Sequence, residues 1–293
     1  QLVQDARRHG VEVRPVDVTR SDVDTTLEAR DPDAPRPCGI DERYADRLGN
    51  ENQPAVRLGL NRIASLSAGG AERLLRARAA APFTSTEDLA LRAELDGKDM
   101  AALAAADALM SLSGHRRQQV WDATAQRRSP ALLKGVPINE QVLLLPAAPE
   151  GEEIVGDYAS LGLTLRRHPL ALLRPRLSRM KLMSAEELRA QPTGRTVRAC
   201  GIVKGRQRPG TANGTIFVTL EDETGNVNVI VWSHVIEAWR EPLLKSHLLA
   251  VQGTWQRDDD SGGKVQHLIA TGFKDLTPLM GRLAQSNTSR DFH

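Results

Sequence analysis

Residues 196–274 constrain the fold of this chain more than any other stretch, because they parse into five strand-like runs, the second and third of which alternate apolar residues at period two. The first run, Thr196–Gln207, is long and ends in a breaker-rich loop at 209–214. The second and third, 215–221 and 227–232, flank a turn at 223–226. Ser233 stands where an N-cap opens a short helix carrying Val235, Ile236 and Trp239, and Pro242 is placed to stop it. Runs four and five, Leu248–Arg257 and 265–273, are separated by a loop of acids and glycines at 258–263. Three strands, a helix and two more strands is the order of an OB-fold. That five-stranded barrel commonly grips single-stranded nucleic acid on strands two and three and with its 1–2 and 4–5 loops.

Strand alternation sorts the side chains. In the second strand Ile216, Val218 and Leu220 share one face and Phe217 and Thr219 the other. In the third, Val227, Val229 and Val231 oppose Asn228, Ile230 and Trp232. The aliphatic sets fill the barrel, which leaves Phe217 as a stacking platform with Asn228 beside it. Phe217 is equally placed to pack under a neighbouring helical domain. Trp232 and Trp255 read as core residues. Arg198, Lys204, Arg206 and Arg208 run along the first strand into the 1–2 loop. Alternation puts the last three on one side, as a row of phosphate contacts. Aromatic residues are only 3% of the chain, so a binding surface here relies on charge more than on stacking.

The first half of the chain is different in character. Residues 1–8 read as the end of a helix closed by Gly10, and VEVRPVDV alternates like a strand. Residues 22–50, rich in Asp, Pro and Arg, show little periodicity and read as partly ordered. From 56 to 128 the pattern is helical. Residues 71–81 favour helix and end at Pro82, and Ser85 and Asp88 bracket a capping box. A second unit follows, LDGKDMAALAAADALMSLSGHRRQQVWDAT. Two units of helix, tight turn and helix suggest tandem helix-hairpin-helix modules, which hold DNA phosphates on backbone N–H groups without reading sequence. His115, Arg116 and Arg117 open the last helix of the second unit and are further phosphate candidates. The turns at 65–67 and 106–108 lack glycine, and side chains there hold a phosphate off the backbone. A purely structural helical bundle fits the same pattern. The organisation expected is therefore α+β and multidomain: a 1–55 tail of an upstream domain, a 56–128 helical domain, a 129–190 connector, a 191–281 barrel and a 282–293 tail.

Charge is uneven although the net charge is only +2. Residues 1–51 carry 8 Lys/Arg against 12 Asp/Glu, whereas 195–220 hold five cations and no acid. The two cysteines, Cys38 and Cys200, have neither disulfide-framework nor metal-ligand spacing, which points to a reduced, cytoplasmic protein. No apolar run approaches 18 residues, so no membrane span is expected. Asp258-Asp259-Asp260 and Glu221-Asp222-Glu223 read as solvated turns and not as metal sites. His168, before Pro169, reads as a structural hydrogen-bonding residue. The chain opens without Met inside a helical pattern, so more chain is expected upstream.

Asp157-Tyr158, Gly162-Leu163-Thr164-Leu165 and His168-Pro169-Leu170, followed by an OB-fold, resemble the C-terminal part of bacterial C-family DNA polymerases. RACGIVKGRQRPGTANGTIFVTLEDETGNVNVIVW and the ending SRDFH resemble the error-prone, damage-inducible branch of that family. The resemblance covers essentially the whole chain. It departs from the family at Ser65, Ser67 and Asp107, where glycines are usual. It implies a role in translesion synthesis, with DNA, single-stranded or primer–template, as ligand. It implies a polymerase-like scaffold protein and a recombinase-related accessory factor as partners, with the sliding clamp reached indirectly. The metal-binding aspartates and their Mg²⁺ ions, about 4 Å apart in two-metal phosphoryl transfer, would belong to an upstream palm. No cofactor and no polymerase activity are therefore expected of this chain alone. A stand-alone OB-fold single-strand binder and a protein-docking module without enzymatic activity are the alternatives.

Overall fold

In the computed structural model the chain divides between Arg166 and Arg167, inside the stretch read as a connector, into two units. The structure describes residues 2–30, 54–125, 144–211, 214–257, 265–286 and 290–291. Cys38, the Asp258–Asp260 triplet and the whole 129–143 stretch lie outside the described residues.

The first unit opens with α1 (Leu2–Arg8), which ends where Gly10 takes φ +81°. A small sheet follows, of β1 (Val13–Arg14), β2 (Thr26–Glu28) and β3 (Ala55–Arg57). β3 lies in the middle, parallel to β1 and antiparallel to β2. β1 is shorter than its alternation suggests because Pro15 has no N–H to donate. Glu28 ties the three strands together, accepting from Arg57 Nε (2.9 Å) and Arg14 Nη1 (2.6 Å). The Arg57 bond, with Arg14 assisting against the cost of burial, brings the Glu28 carboxyl down to about 2.

Helices then carry the core: α2 (Ala68–Ala80), α3 (Thr86–Arg92), α4 (Gly97–Ala105), α5 (Met110–Ser113), α6 (Arg116–Ala125) and α7 (Glu150–Leu161). Leu60, Leu74, Leu89, Met100, Leu103 and Leu109 are all buried in one cluster. Ser67, Ser85 and Asp96 cap α2, α3 and α4, each accepting from the N–H three residues on. Asp88 completes its turn by reaching back to the Thr84 N–H at 3.0 Å.

The second unit begins with α8 (Pro169–Arg179). His168 caps it, its Nδ1 accepting from the Leu170 N–H at 3.2 Å, and Pro169 fills the first helical position, where no N–H is needed. Burial pushes the His168 imidazole below its usual range, against the pull of Glu221, Glu223 and Asp222. α9 (Ala185–Arg189) starts with a complete capping box between Ser184 and Glu187.

The barrel follows as β4 (Thr196–Gln207), β5 (Ile216–Asp222), β6 (Gly225–Val231), β7 (Leu248–Arg257) and β8 (Gln266–Asp275). β4 pairs with β7 through its first half and with β5 through its second. β6 and β8 run parallel and close the circle. A short β9 (Arg290–Asp291) runs beside Gly205 and Arg206. Val218, Leu220, Val229, Val251, Trp255 and Leu268 fill the interior. A second apolar cluster, with Leu170, Leu177, Cys200, Ile202 and Leu248, seals the barrel to α8 and to the 3₁₀ segment Thr277–Ser286. Burial there raises the Cys200 thiol to about 12.

Between β6 and β7 lie α10 (Ser233–Ala238) and α11 (Arg240–Lys245). The break falls at Trp239, not at Pro242, which sits within the first turn of α11, where its missing N–H costs little. Glu221-Asp222-Glu223 is not a solvated turn. Asp222 is buried and accepts from the N–H groups of Ala185 (2.7 Å), Thr224 (2.8 Å) and Gly225 (2.9 Å), and Arg174 bonds Glu223. Asp222 and Glu223 staple α8 and α9 to the β5–β6 turn.

Candidate nucleic-acid interface

The pleat leaves one face of β5 and β6 pointing out of the barrel. Phe217 pairs with Ile230 and Thr219 with Asn228, and Ile230 pairs in turn with Ile269 on β8. The outcome is a lateral row, Phe217–Ile230–Ile269, with Asn228 and Thr219 one step along. Phe217 is 38% exposed and Asn228 is exposed. Trp232, expected in the core, is 46% exposed because it continues the outward parity of Asn228 and Ile230.

The cations of β4 do not form the row that uninterrupted alternation predicts. Val203 pairs with Leu220 and Gly205 with Thr219, so Lys204 is an extra residue in a bulge. A one-residue slip turns every later side chain to the other face. Arg206, opposite Val218, therefore points into the barrel mouth, only 2% exposed. It donates to the carbonyls of Leu243 (2.6 Å) and Ser246 (2.5 Å) at the end of α11. It is a structural cap and offers nothing to a phosphate. Lys204 meets Glu221 at 2.8 Å. Arg208 is exposed in the 1–2 loop beside the Phe217 strand, and Arg198 is exposed at the other end of β4, donating to the Met180 carbonyl at 3.2 Å.

The helical unit carries two hairpin turns of like geometry and unlike accessibility. Ser65 takes φ +86° and Asp107 φ +59°. These are conformations that glycine adopts without strain, so the turns keep their path although the glycines are missing. In the first hairpin, residues 64–69 are largely exposed. Among the described residues the N–H groups of Ser65, Ala68 and Gly69 find no acceptor. Asp99 braces the turn from beneath, accepting from the Ser67 N–H (3.0 Å) and hydroxyl (2.9 Å). Arg73 and Arg76 follow on α2 and, with Arg92, line a recess of about 330 Å³. Arg73 and Arg76 were not singled out by the sequence reading, although their spacing on one helix face signals a shared direction.

The second hairpin is closed. Gln119 caps the Leu109 N–H at 3.1 Å, and Asp107 accepts from Gln119 (2.7 Å) and Arg166 (2.7 Å). Burial raises the Asp107 carboxyl despite the nearby Arg116 and Arg166 guanidiniums. Arg116, 8% exposed, meets Glu153 at 2.9 Å and also bonds Asp157, whose other oxygen accepts from Thr164 at 2.6 Å. Arg117 pairs with Glu152 at 3.0 Å and His115 bonds the Leu145 carbonyl at 2.8 Å. None of the three presents a free head to solvent. Helical spacing made them look like a basic helix start, but acids brought by α7 from far along the chain pair with Arg116 and Arg117, and His115 is held by a carbonyl. Glu153 and Asp157 of α7 are thus the acidic half of a buried lock, with Thr164 of the GDYASLGLT stretch bonded to Asp157.

Among the described residues, no three His, Cys, Asp or Glu side chains converge as a metal site, and no helix is long and apolar enough to cross a membrane. Residues 10–119 match the family model described as helix-hairpin-helix motif, and 197–276 match the OB-fold nucleic acid binding domain. The whole chain is 51% identical over 296 residues to the error-prone DNA polymerase of Ralstonia nicotianae and 52% identical to that of Ralstonia pickettii. It spans 26% of the length of each of these relatives. Among solved structures, asparaginyl-tRNA synthetase from Pyrococcus horikoshii aligns over 33% of this chain and 23% of that one, at 22% identity and a TM-score of 0.28.

Proposed function

Because this chain belongs along its whole length to the error-prone DNA polymerase family, and spans about a quarter of each relative, we propose that it holds DNA for such a polymerase during damage-induced translesion synthesis. The observation that carries this reading is the uncovered outer face of β5 and β6, where Phe217 and Trp232 stand 38% and 46% exposed on a matched OB-fold nucleic acid binding domain. Single-stranded template lies across Phe217, Ile230 and Asn228, with Arg208 on its phosphates. The first hairpin, Ser65 to Gly70, takes a duplex phosphate on its open N–H groups, and Arg76 takes the next. The second hairpin serves as scaffold. In this reading the metal-binding carboxylates of phosphoryl transfer lie in the part of the protein that this chain does not span. The scaffold protein, the recombinase-related factor and, indirectly, the sliding clamp are its partners.

The test is fluorescence anisotropy of the chain with labelled single-stranded and primer–template DNA over a salt series. Binding that weakens steeply with salt is expected. Phe217→Ala is expected to cost about 1–3 kcal/mol on the single strand, the worth of one base stacked on an aromatic ring. Absence of binding at low salt, or no effect of Phe217→Ala, would overturn the assignment.

A further inference from the structure

The outer face of β4, β7 and β8 holds a groove that the strand 2–3 surface does not use. Arg198, Gln252 and Gly272 lie side by side across the three strands. Met180 and Leu182 form one wall and Trp239 the other, its indole seated over Gly272, around a volume of about 300 Å³. Trp239 is 40% exposed. The rim is cationic: Arg198 and Lys274 line it, and Lys181 stands exposed between the two wall residues. Among the described residues none of these three cations has a carboxylate partner; Arg198 donates only to a carbonyl.

We propose that this groove docks an acidic protein segment that inserts one bulky apolar side chain between Met180, Leu182 and Trp239. Charge complementarity selects the acid: unpaired cations around a partly apolar recess attract carboxylates and reject cations. The recess selects a protein. Its volume suits a single anchor side chain, and Trp, Met and Arg are the residues that carry interface energy. A nucleic-acid strand needs successive stacking surfaces along its path. The barrel offers such a row at Phe217, Ile230 and Ile269, across β5, β6 and the first half of β8, and only one indole here.

The probe is a short fluorescein-labelled peptide in which Asp and Glu surround a central Leu-Phe pair, titrated with the whole chain and followed by anisotropy. Saturable binding is expected. Arg198→Glu with Lys274→Glu is expected to weaken it about tenfold, as is replacing the Leu-Phe pair by Ala-Ala, while Phe217→Ala leaves it unchanged. If the double reversal fails to fold, as read from its thermal transition, Lys274→Glu alone is measured, with about a threefold loss expected. No saturable binding overturns the proposal, and so does equal binding of the Ala-Ala peptide. Displacement of the peptide by oligo-dT in the Phe217→Ala background would assign the groove to nucleic acid and overturn it as well.

Discussion

Replacing Gly70 with Ala tests the first hairpin where structure and propensity disagree. By propensity, Gly→Ala inside a helix stabilises by about 1 kcal/mol. In α2 the added Cβ would sit 2.3 Å from Asp99 Oδ2 and 2.8 Å from Ser67 Oγ. Asp99 is buried within α4 and cannot swing clear without releasing the Ser67 N–H and hydroxyl. Losing two hydrogen bonds to an ionised acceptor costs about 1.5 kcal/mol each. Less the propensity gain, the net loss is about 2 kcal/mol, or about 4–8 °C in the melting of a unit this size. The same shift disorders the open N–H groups, so affinity for duplex DNA should fall about tenfold. Differential scanning calorimetry of Gly70→Ala, Asp99→Ala and the double variant measures the coupling. With Asp99 truncated the Cβ has room, and Gly70→Ala should be neutral or stabilising. A melting temperature that rises in the single variant would refute the reasoning, as would an equal loss in both backgrounds.

Gly156→Ala places a Cβ 2.4 Å from Arg116 Nη1, which is pinned between Glu153 and Asp157. A loss of about 3 kcal/mol is expected from breaking that buried lock, measured by urea denaturation. It should vanish when Arg116 is also truncated. His168 is held neutral by burial, with its folded-state value below the ordinary 6.5. The unfolded chain therefore binds the proton first, and stability should decline as pH falls below about 6.5. His168→Asn keeps a capping side chain and should flatten that slope in calorimetric scans. Glu28, brought down to about 2, contributes stability that is present above about 4.5 and lost as pH falls toward 2. Glu28→Gln should remove that acid-side slope.

The sequence by itself determined the barrel and most helix ends. Strand-like runs bounded by turn residues are a local property, and β4 and β7 cover the runs expected, Thr196–Gln207 and Leu248–Arg257. Caps such as Ser184 with Glu187 act within one turn and are equally legible. The outward placement of Phe217 and Asn228 followed from strand parity. What parity could not foresee was the bulge at Lys204, which leaves no mark in residue type and buries Arg206. Nor could the start of α6 announce that Arg116 and Arg117 meet acids of α7 more than thirty residues away. Which cations stay free for a phosphate is a question about partners distant in sequence. Only the tertiary structure brings those partners together, so only it decided that the first hairpin is open and the second closed.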